Sequence, residues 1–213
     1  CRPMKQQERN PQSVERLKAM FADRGRLLII LQDPPDPDAL ASALALKRLA
    51  HRWGELQCSI AHGGRIGRAE NRALVDYLAL NLRSMADLDP DRFDLTAMVD
   101  TQPGTGNNSL DESFVPDIVV DHHPVQNRTR RSPYTDIRGN YGATSTVFYE
   151  YLTEAGVDLD VPLATGLLYG IRSDTQDLGR EAIQADIDAF LALYPEANQR
   201  MLSRIARGRV DDT

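Results

Sequence analysis

The chain has 213 residues, of which 41% are hydrophobic and 26% are charged, and it carries a formal net charge of −6. These values are typical of a folded domain with a substantial core and exclude wholesale disorder. The apolar runs, such as residues 27–31, are too short to cross a bilayer, and the negative charge argues against broad, unspecific binding to nucleic acid. Two cysteines, Cys1 and Cys58, make no disulfide framework, which favours a reducing cytoplasm. Because the chain begins at Cys1, we expect it to be part of a longer protein.

Apolar spacing predicts the elements of the first half of the chain. Val14, Leu17 and Phe21 recur at helical spacing and predict a helix within an N-terminal lead, residues 1–25. The run 27–31 is apolar without alternation, which is typical of a strand buried on both faces. The predicted elements that follow are a helix over 39–50, a strand over 56–61, a helix carrying Ala73, Leu74, Leu78 and Leu82, and a strand over 95–100.

The second half continues the alternation of strands and helices. A strand over 117–123 precedes helices in "YGATSTVFYEYLTEAG" and "PLATGLLYGIRSDT", and two shorter helices over 183–193 and 198–207 end the chain. Strands that alternate with helices pair in parallel. The sequence therefore predicts one α/β domain over residues 26–213, with a Rossmann-like parallel sheet, helices on both faces and helices at the C-terminus.

Acidic and imidazole groups follow three of the predicted strands. The first strand is followed by Asp36 and Asp38, the strand over 95–100 ends in Asp100, and the strand over 117–123 ends in "DHH". Parallel strands bring their carboxyl ends to one rim of the sheet, where ligands bind. Converging carboxylates repel one another unless a cation lies among them, and carboxylates with imidazole suit manganese or magnesium. Two such ions bridged by a carboxylate form a clamp for displacement at phosphorus.

Each group also has an ordinary structural explanation. Asp36 and Asp38 could cap the following helix, Asp100 could close a turn at "DTQPG", and Asp174 could cap a helix end. Two adjacent imidazoles beside a carboxylate at a strand end are harder to explain without a metal or a hydrogen-bond network. The joint occurrence of four such segments favours a functional site.

Four motifs resemble those of the DHH phosphoesterases. "DPPDPDALAS" is similar to the first motif of that family, "MVDT" to the second, "VVDHHP" to the third and "YGIRSDT" to the fourth, and "YGATSTVFYEYL" resembles the helix after the third motif. The stretches "PDPDALASALAL" and "GGRIGRAENRALV" look most like the exopolyphosphatase-related, oligoribonuclease-like subgroup. The resemblance extends over nearly the whole chain from Arg26. It implies a manganese-dependent phosphohydrolase that cleaves a phosphoester or phosphoanhydride bond with water activated by two metal ions.

The resemblance also implies roles for individual residues. Asp36 and Asp100 would hold one manganese ion, with magnesium as the alternative metal. His123 would contact the substrate phosphate as a proton donor or charge stabiliser, and Asp121 would orient an imidazole. The second ion would be held by four residues, of which Asp100 bridges the two ions: Asp38, Asp100, His122 and Asp174.

Gln32 departs from the family pattern, which has a histidine ligand to the first metal at this position. A neutral amide oxygen is a weak ligand for manganese, so the first site is expected to bind its ion weakly. Neighbouring Asp33 is expected to point elsewhere because side chains alternate along a strand. Three interpretations stay open: Gln32 is a tolerated ligand, it alters the metal preference, or the domain is a catalytically inactive sensor that binds nucleotides or metal.

Basic and helix-terminal residues suggest where a phosphate would bind. Arg65, Arg68 and Arg72 are spaced to share a helix face, and with nearby glycine backbone they could receive a distal phosphate, although a solvated basic face explains them equally well. Thr144 and Ser145 open a helix whose free N–H groups would suit an anion, although ordinary capping also explains them.

The predicted partner is a small phosphorylated substrate or a short single-stranded oligonucleotide, with no membrane. Family members that cut nucleotides carry a second, glycine-rich substrate-binding lobe, and nothing after Arg180 resembles it. We therefore expect either an additional domain outside this chain or a small substrate that does not need one. A homodimer is a further prediction.

Overall fold

The computed structural model describes residues 13–208, so the predictions for residues 1–12 and 209–213 lie outside the described residues. Within residues 13–208 the chain forms six strands and seven α-helices. The strands are β1 (Arg26–Ile30), β2 (Gln57–His62), β3 (Leu82–Ser84), β4 (Leu95–Val99), β5 (Ile118–Asp121) and β6 (Tyr134–Ile137). The helices are α1 (Ser13–Phe21), α2 (Pro37–Gly54), α3 (Ala69–Tyr77), α4 (Thr144–Glu154), α5 (Val161–Asp174), α6 (Gln184–Leu193) and α7 (Gln199–Gly208).

All six strands lie in one sheet in the order β3-β2-β1-β4-β5-β6, and every neighbouring pair is parallel. The order reverses between β1 and β4, so the connections from these two strands leave in opposite directions. Such a switch point opens a crevice at the carboxyl ends of the strands. The predicted Rossmann-like α/β fold is confirmed.

The sheet is covered by helical elements on both sides. One face, which includes Leu27 and Ile29 of β1, packs with the α-helices in the main hydrophobic core. The opposite face, which includes Leu28 and Ile30, packs against Met85 of the 3₁₀ turn Met85–Asp87. Because β1 contacts apolar groups on both faces, its four residues after Arg26 are buried without alternation.

The described part of the predicted N-terminal lead packs with the rest of the chain. Leu17 and Phe21 of α1 are fully buried in the main core, and the Phe21 ring lies 5.9 Å from the Trp53 ring. The boundary between residues 25 and 26 stays a prediction. None of the described helices is both long and apolar enough to cross a membrane.

Two edge strands differ from the sequence-based prediction. Leu82, predicted on the helix after the glycine-rich segment, begins β3, and no element is predicted from the sequence over the residues of β6. β3 is only three residues long and is partly exposed, and β6 carries the polar residues Thr135 and Asp136. Short, polar edge strands lack the apolar run that marks the central strands.

Candidate metal centre

Four predicted metal ligands converge at the carboxyl ends of the central strands. Asp100 directly follows β4, His122 directly follows β5, Asp38 lies in the first turn of α2, and Asp174 is the last residue of α5. Each offers one ligand atom, and these four atoms all lie within 4.8 Å of one another. We call these residues the four-residue cluster.

His122 is oriented as a metal ligand within this cluster. Its Nδ1 lies 3.1 Å from the carbonyl oxygen of Tyr141, which can only accept, so Nδ1 carries the hydrogen. Its Nε2 points at carboxylate oxygens and lies 3.1 Å from Asp174 Oδ2, 3.5 Å from Asp100 Oδ1 and 3.8 Å from Asp38 Oδ2. A ring nitrogen fixed in this way by a backbone carbonyl is typical of metal-bound histidine.

The N-terminus of α4 holds the carboxylates in place. Asp38 is fully buried and accepts hydrogen bonds from the backbone N–H groups of Thr144 at 2.8 Å and Ser145 at 2.7 Å. The Thr144 hydroxyl donates to Asp100 Oδ1 at 2.8 Å. The structure therefore differs from the prediction that Thr144 and Ser145 bind a substrate anion, because both residues are fully buried and their N–H groups already bind the Asp38 carboxylate.

Two buried ligand atoms in the cluster lack a hydrogen-bond partner among residues 13–208. They are Oδ2 of Asp100 and Nε2 of His122. An unpartnered buried polar atom costs roughly 1–3 kcal/mol, and more for a charged group. A divalent cation between these acceptors would offset that cost, so the residues present fit a metal ion.

The electrostatics of the cluster point the same way. Burial, followed by the charges of Asp38 and Asp36, raises the pKa of Asp100 well above its ordinary value. Burial and the Asp38 charge raise the pKa of Asp174 to about 7. Burial alone would lower the pKa of His122, but the neighbouring carboxylates of Asp174 and Asp38 raise it to about 9. The cluster therefore attracts positive charge.

Asp36 and Gln32 lie beside the four-residue cluster. Asp36 caps α2, where its Oδ1 accepts from the backbone N–H of Ala39 at 2.9 Å. Burial and the Asp38 charge raise the pKa of Asp36, while a hydrogen bond from Gln32 acts in the opposite direction. The Gln32 side-chain oxygen accepts from Asn107 Nδ2 at 3.3 Å. The oxygen that would bind a metal is therefore bonded to the protein.

Asp33 points away from the cluster. Its carboxylate accepts hydrogen bonds from the backbone N–H of Gly63 and the hydroxyl of Ser109, and these bonds tie three loops together. An added Cβ at Gly63 would overlap the Ser109 side chain, which explains the glycine at this close approach.

His123 and Asp121 form a pair at the edge of the site. The His123 side chain is 51% exposed, whereas Asp121 is buried, and Asp121 Oδ1 lies 2.8 Å from His123 Nδ1. Burial would raise the pKa of Asp121, but hydrogen bonds from His123 and Gln102 outweigh burial and lower it. Gln102, which donates to Asp121 Oδ2 at 2.7 Å, was not singled out from the sequence, where its side chain carries no charge and no pattern marks its burial.

A cleft of about 690 Å³ opens beside the cluster. It brings together the half-exposed His123 with the ligand-bearing residues His122 and Asp174. The other lining residues are Pro124, Gly139, Asn140, Tyr141, Ser173, Gln176 and Glu181.

The three arginines do not share a helix face as predicted. Arg65 precedes α3, Arg68 is the residue before its first turn, and of the three only Arg72 lies in the helix. The Arg72 guanidinium donates to the carbonyl oxygens of Ile66 and Gly67, and that of Arg68 lies 3.8 Å from Glu70 Oε1. The glycine-rich segment folds as a loop, so the helical spacing does not apply to it.

Comparison with known proteins gives related sequences and a related structure. The chain is 40% identical over 174 residues to an uncharacterised protein of Methanocaldococcus jannaschii, a match that covers 81% of this chain and 35% of that protein. It is 24% identical over 184 residues to a probable manganese-dependent inorganic pyrophosphatase of Lactobacillus gasseri, covering 82% of this chain and 58% of that protein. The chain thus spans between about a third and three fifths of the length of these relatives.

The crystal structure of an exopolyphosphatase-related protein from Bacteroides fragilis superposes with a TM-score of 0.70 and 12% identity, over 91% of this chain and 59% of that chain. At this identity the likeness shows the fold alone. The family model described as the DHH family, N-terminal domain, matches residues 26–171, which is more than half of the chain. The chain belongs to the DHH family.

Proposed function

We propose that this chain is the catalytic domain of a metal-dependent phosphohydrolase that cleaves a phosphoester or phosphoanhydride bond in a small phosphorylated substrate. The observation that carries the proposal is the convergence of the four-residue cluster, in which Asp100 Oδ2 and His122 Nε2 are buried and find no donor within residues 13–208. Family membership and the manganese-dependent pyrophosphatase relatives support this assignment. The candidate substrates are a small nucleotide, a short single-stranded oligonucleotide and a polyphosphate.

The four-residue cluster would hold one divalent ion, manganese or magnesium, and Asp36, Gln32 and Asp100 would hold a second ion more weakly. When bound, such ions lower the pKa of an attacking water and offset charge on phosphoryl oxygens. The chain's own residues prepare for this role, because the α4 N–H groups fix Asp38 and the Tyr141 carbonyl fixes His122.

His123 would receive the substrate phosphate. Its Nδ1 is bound to Asp121, so Nε2 is the ring nitrogen available to a phosphoryl oxygen in the cleft. The hydrogen bond to Asp121 raises the pKa of His123, and the charge of Asp121 adds to this effect, whereas burial acts in the opposite direction. The raised pKa favours a cationic ring for the contact with phosphate. Arg65, Arg68 and Arg72 would then act on a distal phosphate from the loop before and the first turn of α3.

A second candidate function is a sensor domain that binds a nucleotide or metal without hydrolysis. The observation that favours it is the Gln32 side chain, whose oxygen is bonded to Asn107 and whose amide interacts with Asp36.

The proposal for the whole protein also includes a cytoplasmic location, an additional domain outside this chain and a homodimer.

Phosphate release from the full chain tests the function. After removal of metals, the protein is assayed with manganese or magnesium on pyrophosphate, tripolyphosphate, a nucleoside bisphosphate and a dinucleotide. We expect metal-dependent turnover that Asp100→Asn and His122→Ala abolish. Asp76→Asn, which removes an exposed carboxylate of α3, is the matched control and is expected to retain it.

The assay also separates the two candidates. Binding of manganese and nucleotide without turnover, in both the wild type and Gln32→His, would favour the sensor domain. The absence of both binding and turnover would contradict both functions.

A further inference from the structure

We infer that Gln102 is a positioning residue that orients His123 toward the cleft by holding the carboxylate of Asp121. This inference rests on the proposed function, in which His123 contacts the substrate. Gln102 lies in the loop after β4, two residues beyond Asp100, and is fully buried. The Gln102 side chain has no ionisable group, so it can act on its neighbours only through its hydrogen bonds and its shape.

The hydrogen bonds of Gln102 fix which way its amide faces. Its oxygen accepts from the backbone N–H of Gln126 and from the Thr129 hydroxyl, both at 2.8 Å. A backbone N–H can only donate, so the amide oxygen must face Gln126 and the NH₂ group must face the opposite side. There it donates to Asp121 Oδ2 at 2.7 Å.

This arrangement divides the two oxygens of Asp121 between two tasks. Oδ2 is bound by Gln102, and Oδ1 accepts from the His123 ring at 2.8 Å and from the backbone N–H groups of His122 at 2.8 Å and His123 at 3.3 Å. The carboxylate cannot rotate without breaking bonds at both oxygens. The His123 ring is therefore held with Nδ1 against Asp121 and with Nε2 left for the cleft.

Gln102 also contacts the main chain that carries His123. Its NH₂ group lies 3.2 Å from the carbonyl oxygen of Pro124 and 3.4 Å from that of His123. A single amide thus connects the end of β4, which bears Asp100, to both the side chain and the backbone of the His123 segment. Partners of this kind behind a functional imidazole commonly change activity by about 10–100-fold when they are removed.

Two substitutions separate this role from a general contribution to packing. Gln102→Glu keeps an oxygen facing Gln126 and Thr129 but places a second carboxylate oxygen against Asp121. Thr129→Val is the matched control. It removes the buried hydrogen bond to the amide oxygen of Gln102 and leaves the contact between the amide nitrogen and Asp121 in place. If Gln102 contributed only to packing, the two substitutions would change kcat and the His123 ring signal to a similar extent.

The test combines kinetics with a structural readout on the full chain. With manganese and the best substrate of the panel, we expect Gln102→Glu to lower kcat at least about tenfold more than Thr129→Val, with the number of bound ions unchanged. Long-range ¹H–¹⁵N spectra of the metal-free protein at one fixed pH report the hydrogen on His123 Nδ1. We expect that signal to change in Gln102→Glu and to persist in Thr129→Val.

Equal effects of the two variants on both kcat and the ring signal, or an unchanged ring signal in Gln102→Glu, would overturn the inference. If Gln102→Glu does not fold, Gln102→Met takes its place, since it fills a similar volume without donors and carries the same two expectations. The spectra need no turnover, so a wild-type protein that hydrolyses nothing would overturn the proposed function while the spectra still decide the role of Gln102.

Discussion

The two sides of the rim use their polar groups in different ways. In the four-residue cluster, Asp100 Oδ2 and His122 Nε2 are buried without a donor among the described residues. On the other side, which we call the Gln32 side and which comprises Gln32, Asp33 and Asp36, the side-chain oxygens accept hydrogen bonds from Asn107, Gly63, Ser109 and Ala39.

The difference shows where the demand for a cation lies. Carboxylates that the protein itself satisfies gain less from a metal than carboxylates buried against one another. The Gln32 side needs no ion to meet the hydrogen-bonding needs of its oxygens, whereas two ligand atoms of the cluster find no donor in the part of the chain that the structure describes. We therefore expect affinity for divalent cations to be concentrated in the cluster, and the following predictions test that contrast in order of decreasing effect.

Asp100→Asn should have the largest effect on metal affinity. It removes a fully buried carboxylate of the cluster, and asparagine tolerates the positive φ of 58° at this position, so the backbone is kept. We expect manganese affinity to fall at least about 100-fold, measured by titration calorimetry. The thermal midpoint of the metal-free protein should rise, because repulsion with Asp38 is relieved. An unchanged affinity, or an equal loss in the exposed control Asp76→Asn, would contradict the contrast.

Gly142→Ala should disturb the cluster indirectly, through the turn before α4. An added Cβ would lie 2.6 Å from Thr175 Cγ2, 3.0 Å from Asp186 Oδ2 and 3.1 Å from the Glu181 carbonyl oxygen. Overpacking of this kind costs about 1–3 kcal/mol in the free energy of unfolding. Because the same turn leads into the N–H groups that hold Asp38, manganese affinity should fall as well.

Denaturant unfolding and calorimetry measure the two effects of Gly142→Ala. Gly67→Ala is the matched control, since a Cβ there lies more than 4 Å from the surrounding atoms of the described chain. If Gly142→Ala were as stable as Gly67→Ala, the close packing of the α5–α6 loop on this turn would not be important for the site.

Gln32→His should strengthen the weaker side. Imidazole is a better ligand than an amide for manganese, and the new ring would replace an oxygen that is bonded to Asn107. We expect the affinity for a second manganese ion to rise about tenfold. The measurement is whether the variant retains a second ion after dialysis. Gln32→Ala removes the amide without adding a ligand and should leave the ion count at its wild-type value. A wild type that already retains two ions as firmly as Gln32→His would show that the two sides do not differ.

The central part of this arrangement could be predicted from the sequence. β1, β4 and β5 are buried on both faces, and such strands appear in a sequence as largely apolar runs without alternation. Parallel pairing then requires that the residues after these runs meet at one rim, which is where Asp100 and His122 lie. The convergence of Asp100 and His122 therefore followed from local patterns and one topological rule, whereas the place of Asp174 was implied by the resemblance of "YGIRSDT" to the fourth motif of the DHH family.

Features that depend on contacts between distant segments could not be predicted in this way. Nothing in the local sequence indicates that the N–H groups of Thr144 and Ser145 bind Asp38, which is more than a hundred residues away. The role of Gln102 could not be predicted either, because it depends on loops that meet only in the folded chain. The edge strand β3 lacks an apolar run, and its pairing with β2 is what defines it.

Arg68→Ala should have the smallest effect. The Arg68 side chain is 73% exposed and lies 3.8 Å from Glu70 Oε1, so water and salt screen its charge, and an exposed pair of this kind contributes about 0–1 kcal/mol. We expect KM for a substrate with a distal phosphate to rise by no more than about threefold at low salt, and the difference to vanish near 0.5 M salt as screening increases. Arg83→Ala, which removes an exposed arginine of β3, is the control for a change in net charge alone.

A rise in KM above about tenfold that persists at high salt would contradict this expectation. It would mean that the loop before α3 closes on the substrate and desolvates Arg68, since a solvated arginine cannot provide such binding energy. In that case the loop before α3, which is hydrogen-bonded to the Gln32 side through Gly63 and Asp33, would recognise the substrate directly, and the exposure of Arg68 would be a property of the open state only.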